Sequence, residues 1–467
     1  MVDEKVVAAI AKRIINELKL CESGFSKGES KEEFGIFDNL DDAVEAASKA
    51  QKRFAALDLE KREEIIQAIR EACMNNARYL AELTVSETGI GRVEDKIVKN
   101  ILAAKKTPGT EDLRPTCWTG DHGLTLVEMA PVGVIGSITP VTNPVATVIN
   151  NSISMLAAGN AVVFNPHPTA KRSSNKAVEI INEAIMKAGG PRHLVNTVAE
   201  PTIETAKALM AHPKVNLISV TGGKAVVNEA LRSGKKAIGA GAGNPPVVVD
   251  ETADIIKAAH DIFCGASFDN NLPCIAEKEL IAVETIADML LERLAREGAY
   301  ILRGRDVEKI TDVIFDENHR INKKLVGKDA SFILEQIGIE VGKDVRLVVV
   351  PVDPEHPLVH HEQLMPVLPF VRVPNIQEAI ELAVRAEGGN RHTAIMHSKN
   401  IDNMTNFARA VQTTIFVKNA PSYAGIGFGG EGYATFTIAG PTGEGLTSAR
   451  TFTRQRRCVL VDAFRII

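Results

Sequence analysis

The rhythm of hydrophobic and polar positions changes several times along the chain. Over 5–19, Val6, Ile10, Ile14 and Leu18 recur at every fourth position, and Val7 widens the stripe. Lys5, Lys12, Arg13 and Glu17 supply the opposite face, so the spacing predicts an amphipathic helix. The next segment, CESGFSKGESKEEFG (21–35), has few large apolar groups and reads as a linker. A helix on such a tether is hard to bury in the main core. A docking tail for another protein and a first helix that folds back are both open on this pattern.

From 41 to 105 the pattern is helical, in DDAVEAASKAQKRFAAL and then KREEIIQAIREACMNNARYLAELTVSETG. From 131 short β-rich apolar runs take over: GVIGSIT, AVVFNP, LVNTVA, VNLISVTG and KAIGAGAG. Helical stretches at 143–158, 169–188, 202–211 and 223–231 separate them. Strands alternating with helices at this spacing predict an α/β fold with a parallel, doubly wound sheet. A second α/β region runs from about 246 to 440, with strands at ELIAVE, VRLVVVP and TTIFVKN. RRCVLVDAF (456–464) is a late strand with no helix partner, of the kind that adds to a neighbouring sheet, even in another subunit.

Composition narrows the function classes. A chain of 467 residues exceeds one compact core and implies two or three domains. Its net charge of −5, without a basic block, argues against a nucleic-acid binder. No apolar run reaches the ~18 residues of a membrane span. Asp3, Glu4 and Lys5 open a helical pattern and do not form a charged leader before a long apolar core. The cysteines at 21, 73, 117, 264, 274 and 458 form no CxxC pair, so neither a zinc site nor a disulfide framework is expected. Free thiols in a reducing cytoplasm follow.

Several short stretches could carry chemistry. TPVTNP (139–144) fills the turn after the first strand, where open α/β sheets bind ligands. Pro140 and Pro144 stiffen it, and Thr142 and Asn143 offer hydrogen-bonding side chains. TGGK (221–224) joins a strand to a helix, which suits either a phosphate or a plain tight turn. GAGAGNPP (239–246) allows a ligand or a backbone to pass closely, and an interdomain crossover explains it equally. Cys73 and Cys264 fall within helical patterns and suit structural roles. Cys274 alone follows a polar turn (Asp269, Asn270, Asn271) and a proline, as a loop nucleophile would. Among eleven histidines, His392 lies between a loop and a short strand, with His360, His361, His167 and His397 as alternatives by type. Glu362 reads as a solvated charge on pattern alone.

Taken in order, ETGIGRVEDK, SISMLAAGN, SGKKAIGAGAGNPPVVVDETAD, SFDNNLPCIAEKE, EQLMPVLP, SYAGIG and PTGEGLTSARTF resemble the aldehyde dehydrogenase superfamily from about residue 34 onward. Within it they are most similar to the CoA-acylating enzymes of bacterial microcompartments, the propionaldehyde type of propanediol utilisation above the ethanolamine type. The resemblance implies a Rossmann-type cofactor domain (35–113 and 133–245), an α/β catalytic domain (246–440) and a small β oligomerisation element (114–132 and 441–467). It reads 1–20 as a targeting helix and 21–34 as its linker. It makes Cys274 the nucleophile, Asn143 the side-chain oxyanion donor beside the Cys274 N–H, and His392 the base. Aligned without a gap, Thr142 takes the asparagine's place. Thr139, Pro140, Thr142, Thr221, Gly222, Gly223 and Gly239 line the cofactor, and Glu362 holds its nicotinamide ribose.

Two departures matter. Gly239 stands where hydrolytic relatives carry the glutamate that activates water, which implies an acyl-enzyme kept for a thiol and volume freed near it. Asn165 replaces a lysine that binds the adenosine ribose, which leaves NAD against NADP open. The implied activity is NAD-dependent oxidation of a short-chain aldehyde to acyl-CoA, propionaldehyde before acetaldehyde or butyraldehyde. NAD and coenzyme A are the implied cofactor and cosubstrate, and a homodimer or homotetramer inside a microcompartment, docked on shell or cargo proteins through 1–20, is the implied setting. A cysteine hydrolase without a dinucleotide and a non-catalytic microcompartment protein are the alternatives.

Overall fold

Four helices, Leu40–Phe54, Leu59–Asn75, Ala77–Thr88 and Val93–Lys106, occupy the stretch whose periodicity predicts helix throughout. The breaks between them are local chemistry. Asn39 caps the first helix by accepting from the Asp41 and Asp42 N–H groups, and Asp58 caps the second by accepting from Lys61 N–H. Gly89, at φ 67°, ends the third in the left-handed conformation. The computed structural model describes residues 31–318 and 320–467, so the helix read over 5–19 and most of the linker lie outside the described residues.

The first sheet has six strands in the order Ile36–Phe37, Val195–Val198, Ala161–Asn165, Val134–Ile138, Val215–Thr221 and Lys236–Ala240. Every pairing in it is parallel, as the alternation of strands and helices predicts. The second sheet has seven, in the order Tyr300–Ile301, Val348–Pro351, Val367–Val373, Glu279–Val283, Pro246–Val249, Thr393–His397 and Ile415–Lys418. It too is parallel throughout. Each sheet has its own apolar core. Ile135, Val162, Val163, Phe164 and Ile218 lie in one, and Val247, Leu280, Leu368 and Ile395 in the other.

The tail strand, Thr453–Val461, pairs antiparallel along its whole length with Gly123–Pro131 of the same chain. Thr116–Gly120 completes this three-stranded ribbon, and Cys117 lies on a strand within it. Trp118, Val459, Leu460 and Val461 on the ribbon are exposed. No helix among the described residues is long and apolar enough to cross a membrane.

What matters for chemistry is how the sheets meet. The first sheet sends 139–143 and 221–223 from the carboxyl ends of its strands, and its edge strand Lys236–Ala240 runs through 241–245 into Pro246–Val249 of the second sheet. From the second sheet, Cys274, Glu362 and His392 all come from segments that enter strands: Glu279–Val283, Val367–Val373 and Thr393–His397. In a parallel sheet those entries share one edge. Carboxyl ends of one sheet thus serve with amino ends of the other.

Candidate active site

The turn before Cys274 is built from three consecutive residues in the left-handed region: Asp269 (φ 47°), Asn270 (φ 55°) and Asn271 (φ 62°). Asp and Asn adopt it more readily than other non-glycine residues because their side chains bond locally. Here each side chain is tied down. Asp269 Oδ1 accepts from Arg92 N–H at 2.7 Å, and Asn270 Nδ2 donates to the Gly327 carbonyl at 3.0 Å. Asn271 Nδ2 donates to the Ala266 and Glu277 carbonyls at 2.8 Å each. The helix Ile255–Ser267 thereby turns sharply and presents Cys274, half-buried, before the strand Glu279–Val283.

Asn143 sits at the start of the helix Pro144–Ala157. Its Oδ1 accepts from Lys99 Nζ at 2.5 Å, and its Nδ2 has only a long contact of 3.4 Å to Thr142 Oγ1. The lysine therefore settles the amide orientation, with the N–H group left for another acceptor. Lys99 and Lys96 both pair with the buried Asp269. Burial alone would raise the Asp269 carboxyl, but the two ammonium groups outweigh it and hold it below the ordinary range. Burial pulls Lys99 down to about 8 against the attraction of Asp269.

Gly243, in the crossover, brings three predicted residues together. A Cβ added there would lie 2.7 Å from the Cys274 carbonyl oxygen and 2.8 Å from His392 Cγ. Its N–H also points to Glu362 Oε1 at 3.4 Å. Burial pushes the Cys274 thiol up to about 12; the Glu362 charge adds to this, while Lys278, the Cys274 N–H and Lys99 oppose it. The resting thiol is therefore protonated at neutral pH, and the site must supply a base. His392, which meets Gly243 as Cys274 does, is the neutral ring with a free lone pair on this side, though burial makes it a weaker base than an ordinary histidine. Burial, with Lys278 nearby, lowers it to about 4, so the ring is neutral. Its Nδ1 bonds Thr393 Oγ1 at 2.9 Å, while Nε2 is buried with no partner among the described residues. When Nδ1–H donates to Thr393, Nε2 keeps its lone pair for a thiol proton.

The other histidines are elsewhere. His360 bonds the Pro354 carbonyl and His361 the Pro357 carbonyl, His167 bonds Thr169, and His397 ends the strand that His392 precedes. Glu362 is not the solvated charge of its pattern; burial raises its carboxyl against Lys278 and the Gly243 N–H. The volume expected at Gly239 is also taken. An added Cβ would meet Val227 Cγ1 at 2.7 Å, and Gly239 N–H donates to Thr442 Oγ1. Asn165 accepts from Thr205 Oγ1 at 2.6 Å and so braces the fold. Local pattern reading missed Lys96, Lys99, Asp269 as their partner, and Lys278. Among the described residues no cluster of three or more His, Cys, Asp or Glu is placed to hold a metal ion.

A family model described as "Aldehyde dehydrogenase family" matches residues 37–448. The chain belongs to the aldehyde dehydrogenase family. Aldehyde dehydrogenases similar to it include the acetylating acetaldehyde dehydrogenase EutE of Salmonella typhimurium, 54% identical over 441 residues, which are 93% of this chain and 94% of that protein. A propionaldehyde dehydrogenase of Rhodopseudomonas palustris, solved with bound CoA and an acylated cysteine, is 52% identical with a TM-score of 0.92, covering 93% of this chain and 100% of that one. A propionaldehyde dehydrogenase from the fucose utilisation bacterial microcompartment of Clostridium phytofermentans is 53% identical with a TM-score of 0.91, over 93% and 100% of the two chains.

The nicotinamide dinucleotide of the resemblance fits this aldehyde dehydrogenase. A Cβ at Gly222 or Gly223 would meet nothing within 4 Å, so a ligand can approach that backbone closely. Thr221 Oγ1 bonds Thr437 Oγ1 and fixes the entry to this turn. Thr139 Oγ1, at the end of its strand, is buried without a partner among the described residues.

Proposed function

We propose that the protein oxidises a short-chain aldehyde to its acyl-CoA, with Cys274 carrying the acyl group and a nicotinamide dinucleotide as oxidant. The observation that supports this reading is the Gly243 crossover, whose added Cβ would meet both the Cys274 carbonyl and the His392 ring and whose N–H points to Glu362 Oε1. Thr139, Pro140, Thr142, Thr221, Gly222, Gly223 and Gly239 would line the dinucleotide, and Glu362 would hold its ribose. When bound, the nicotinamide supplies the hydride acceptor.

His392 Nε2 takes the Cys274 proton as Sγ bonds to the aldehyde carbon. Asn143 Nδ2–H and the Cys274 N–H donate to the oxygen that becomes negative, where one such donor is worth ~2.7–4 kcal/mol. Oxidation of that adduct leaves a thioester on Sγ, and the one difficult transfer is split into two. No carboxylate at position 239 readies a water. His392 loses the first proton to solvent; the CoA thiol then gives its proton to His392 as its sulfur bonds to the acyl carbon, and the bond to Cys274 Sγ breaks as that sulfur takes the proton back from His392 and restores the resting thiol.

Reduced nicotinamide should appear from aldehyde as no more than one equivalent per site without CoA and turn over only when CoA is present, and Cys274→Ala should abolish acyl-CoA formation. Rapid turnover to free acid without CoA would overturn the reading, and hydrolysis without a dinucleotide would favour a cysteine hydrolase. Propionaldehyde is the preferred substrate in this reading; a kinetic series from acetaldehyde to valeraldehyde tests it, with one methylene worth ~1–3 kcal/mol. The exposed apolar ribbon supports a homodimer or homotetramer, which a monomeric mass in solution would contradict. The pattern of residues 1–20 supports encapsulation in a microcompartment; their deletion should release the enzyme from the shell with activity intact.

A further inference from the structure

Lys278 follows the nucleophile by four positions, immediately before the strand Glu279–Val283, and it is buried. A lysine ammonium has three donors. Nζ donates to the Asn271 carbonyl at 2.7 Å, to Asn271 Oδ1 at 2.5 Å and to the Pro273 carbonyl at 3.3 Å. All three bonds go to the turn that presents Cys274. Lys96 and Lys99 bond a carboxylate, whereas none of these three bonds does. A buried cation held only by neutral oxygens is costly, and a neutral donor could hold a turn without that cost.

Two consequences follow from the geometry. The carbonyl and N–H of one peptide unit point in opposite directions because the unit is planar and trans. The Pro273 carbonyl is held by Lys278 Nζ and by the Ala276 N–H at 3.0 Å, which turns the Cys274 N–H of the same unit away from both. That N–H bears on the Cys274 thiol itself. The second consequence is electrostatic. The Lys278 charge faces Cys274, Glu277, Glu279, Glu362 and His392. Burial lowers it to about 8 against the attraction of Glu362 and the other acidic groups, so it is charged at neutral pH.

We propose that Lys278 is a positioning residue for the nucleophile: it locks the Pro273–Cys274 peptide with its N–H toward the reacting oxygen, and its buried charge offsets the Cys274 thiolate. This rests on the assignment of Cys274 as nucleophile, which Cys274→Ala tests separately.

Lys278→Met and Lys278→Gln in the full chain separate the two roles, because Gln can hold the carbonyls without the charge. The first readout is alkylation of Cys274 by iodoacetamide against pH, resolved peptide by peptide. At neutral pH, where Lys278 is charged, both variants should alkylate about tenfold more slowly, the effect of one pKa unit. In turnover, Lys278→Met should lose about a hundredfold in kcat. Lys278→Gln should recover part of that loss, with KM for aldehyde little changed in either. A wild-type alkylation profile in a folded variant overturns the proposal.

Discussion

Asn143 and Lys99 show how one side chain sets the chemistry of another. An amide beside a nascent oxyanion is useful only with its N–H group turned inward, and the bond from Lys99 Nζ to Oδ1 sets that orientation. Asn143→Ala should therefore lower kcat about 10²–10³-fold. Lys99→Met, which leaves the amide free to rotate, should cost less than that, and an unchanged kcat in both variants would contradict the assignment. His392 makes a prediction in pH. Its folded value of about 4 lies below the ordinary 6.5, so the ring stays neutral until the pH falls toward 4. Acyl transfer to CoA should show no acid limb near 6.5 from this group. His392→Asn should slow both the thiol attack that precedes the hydride step and the transfer to CoA about 10²–10⁴-fold; a limb near 6.5 that the variant removes would refute the neutral ring. Cys274 and Glu362 can be singled out because they lie in the long segments that carry the resemblance, whereas Asn143 and His392 come from short stretches outside them. Lys99 cannot be singled out: its partner Asp269 is 170 positions away, and a lysine in an amphipathic helix looks like a solvated face until the fold buries it.

At the scale of elements, the decisive piece is the crossover that carries Gly243 between the two sheets. Its glycine is needed for closeness, because any Cβ would meet the Cys274 carbonyl at 2.7 Å and the His392 ring at 2.8 Å. Gly243→Ala should keep the secondary structure, destabilise by about 1–3 kcal/mol through overpacking, and reduce turnover well beyond what that loss explains. Thermal unfolding and kcat measured together check this, and full activity in a destabilised variant would show that the crossover does not set the site. The strand-to-helix alternation of the first sheet is plain in the sequence because buried parallel strands read as short apolar runs. The break between the second and third helices is not plain in the run from 61 to 89. Asn76 alone closes one helix and opens the next, and nothing in the apolar spacing marks it. Thr116–Gly120 and Gly123–Pro131 escape the pattern because their exposed faces leave no apolar alternation.

For the molecule as a whole, the site exists only where the carboxyl edge of one sheet meets the amino edge of another. In the proposed function, Cys274, His392 and Glu362 come from the second sheet, while Asn143 and the glycine turn come from the first. Pocket residues so far apart in sequence are assembled by the docking of two cores, which is why motifs name them without showing how they meet. The central claim is that Cys274 holds an acyl group intended for a thiol. The direct measurement is the intact mass of the protein after a single turnover with propionaldehyde and oxidised dinucleotide, first without CoA and then with it. The account predicts a propionyl thioester on Cys274 that persists without CoA and is released as propionyl-CoA when CoA is added. An unmodified Cys274 with free propionate formed at the rate of turnover would contradict it.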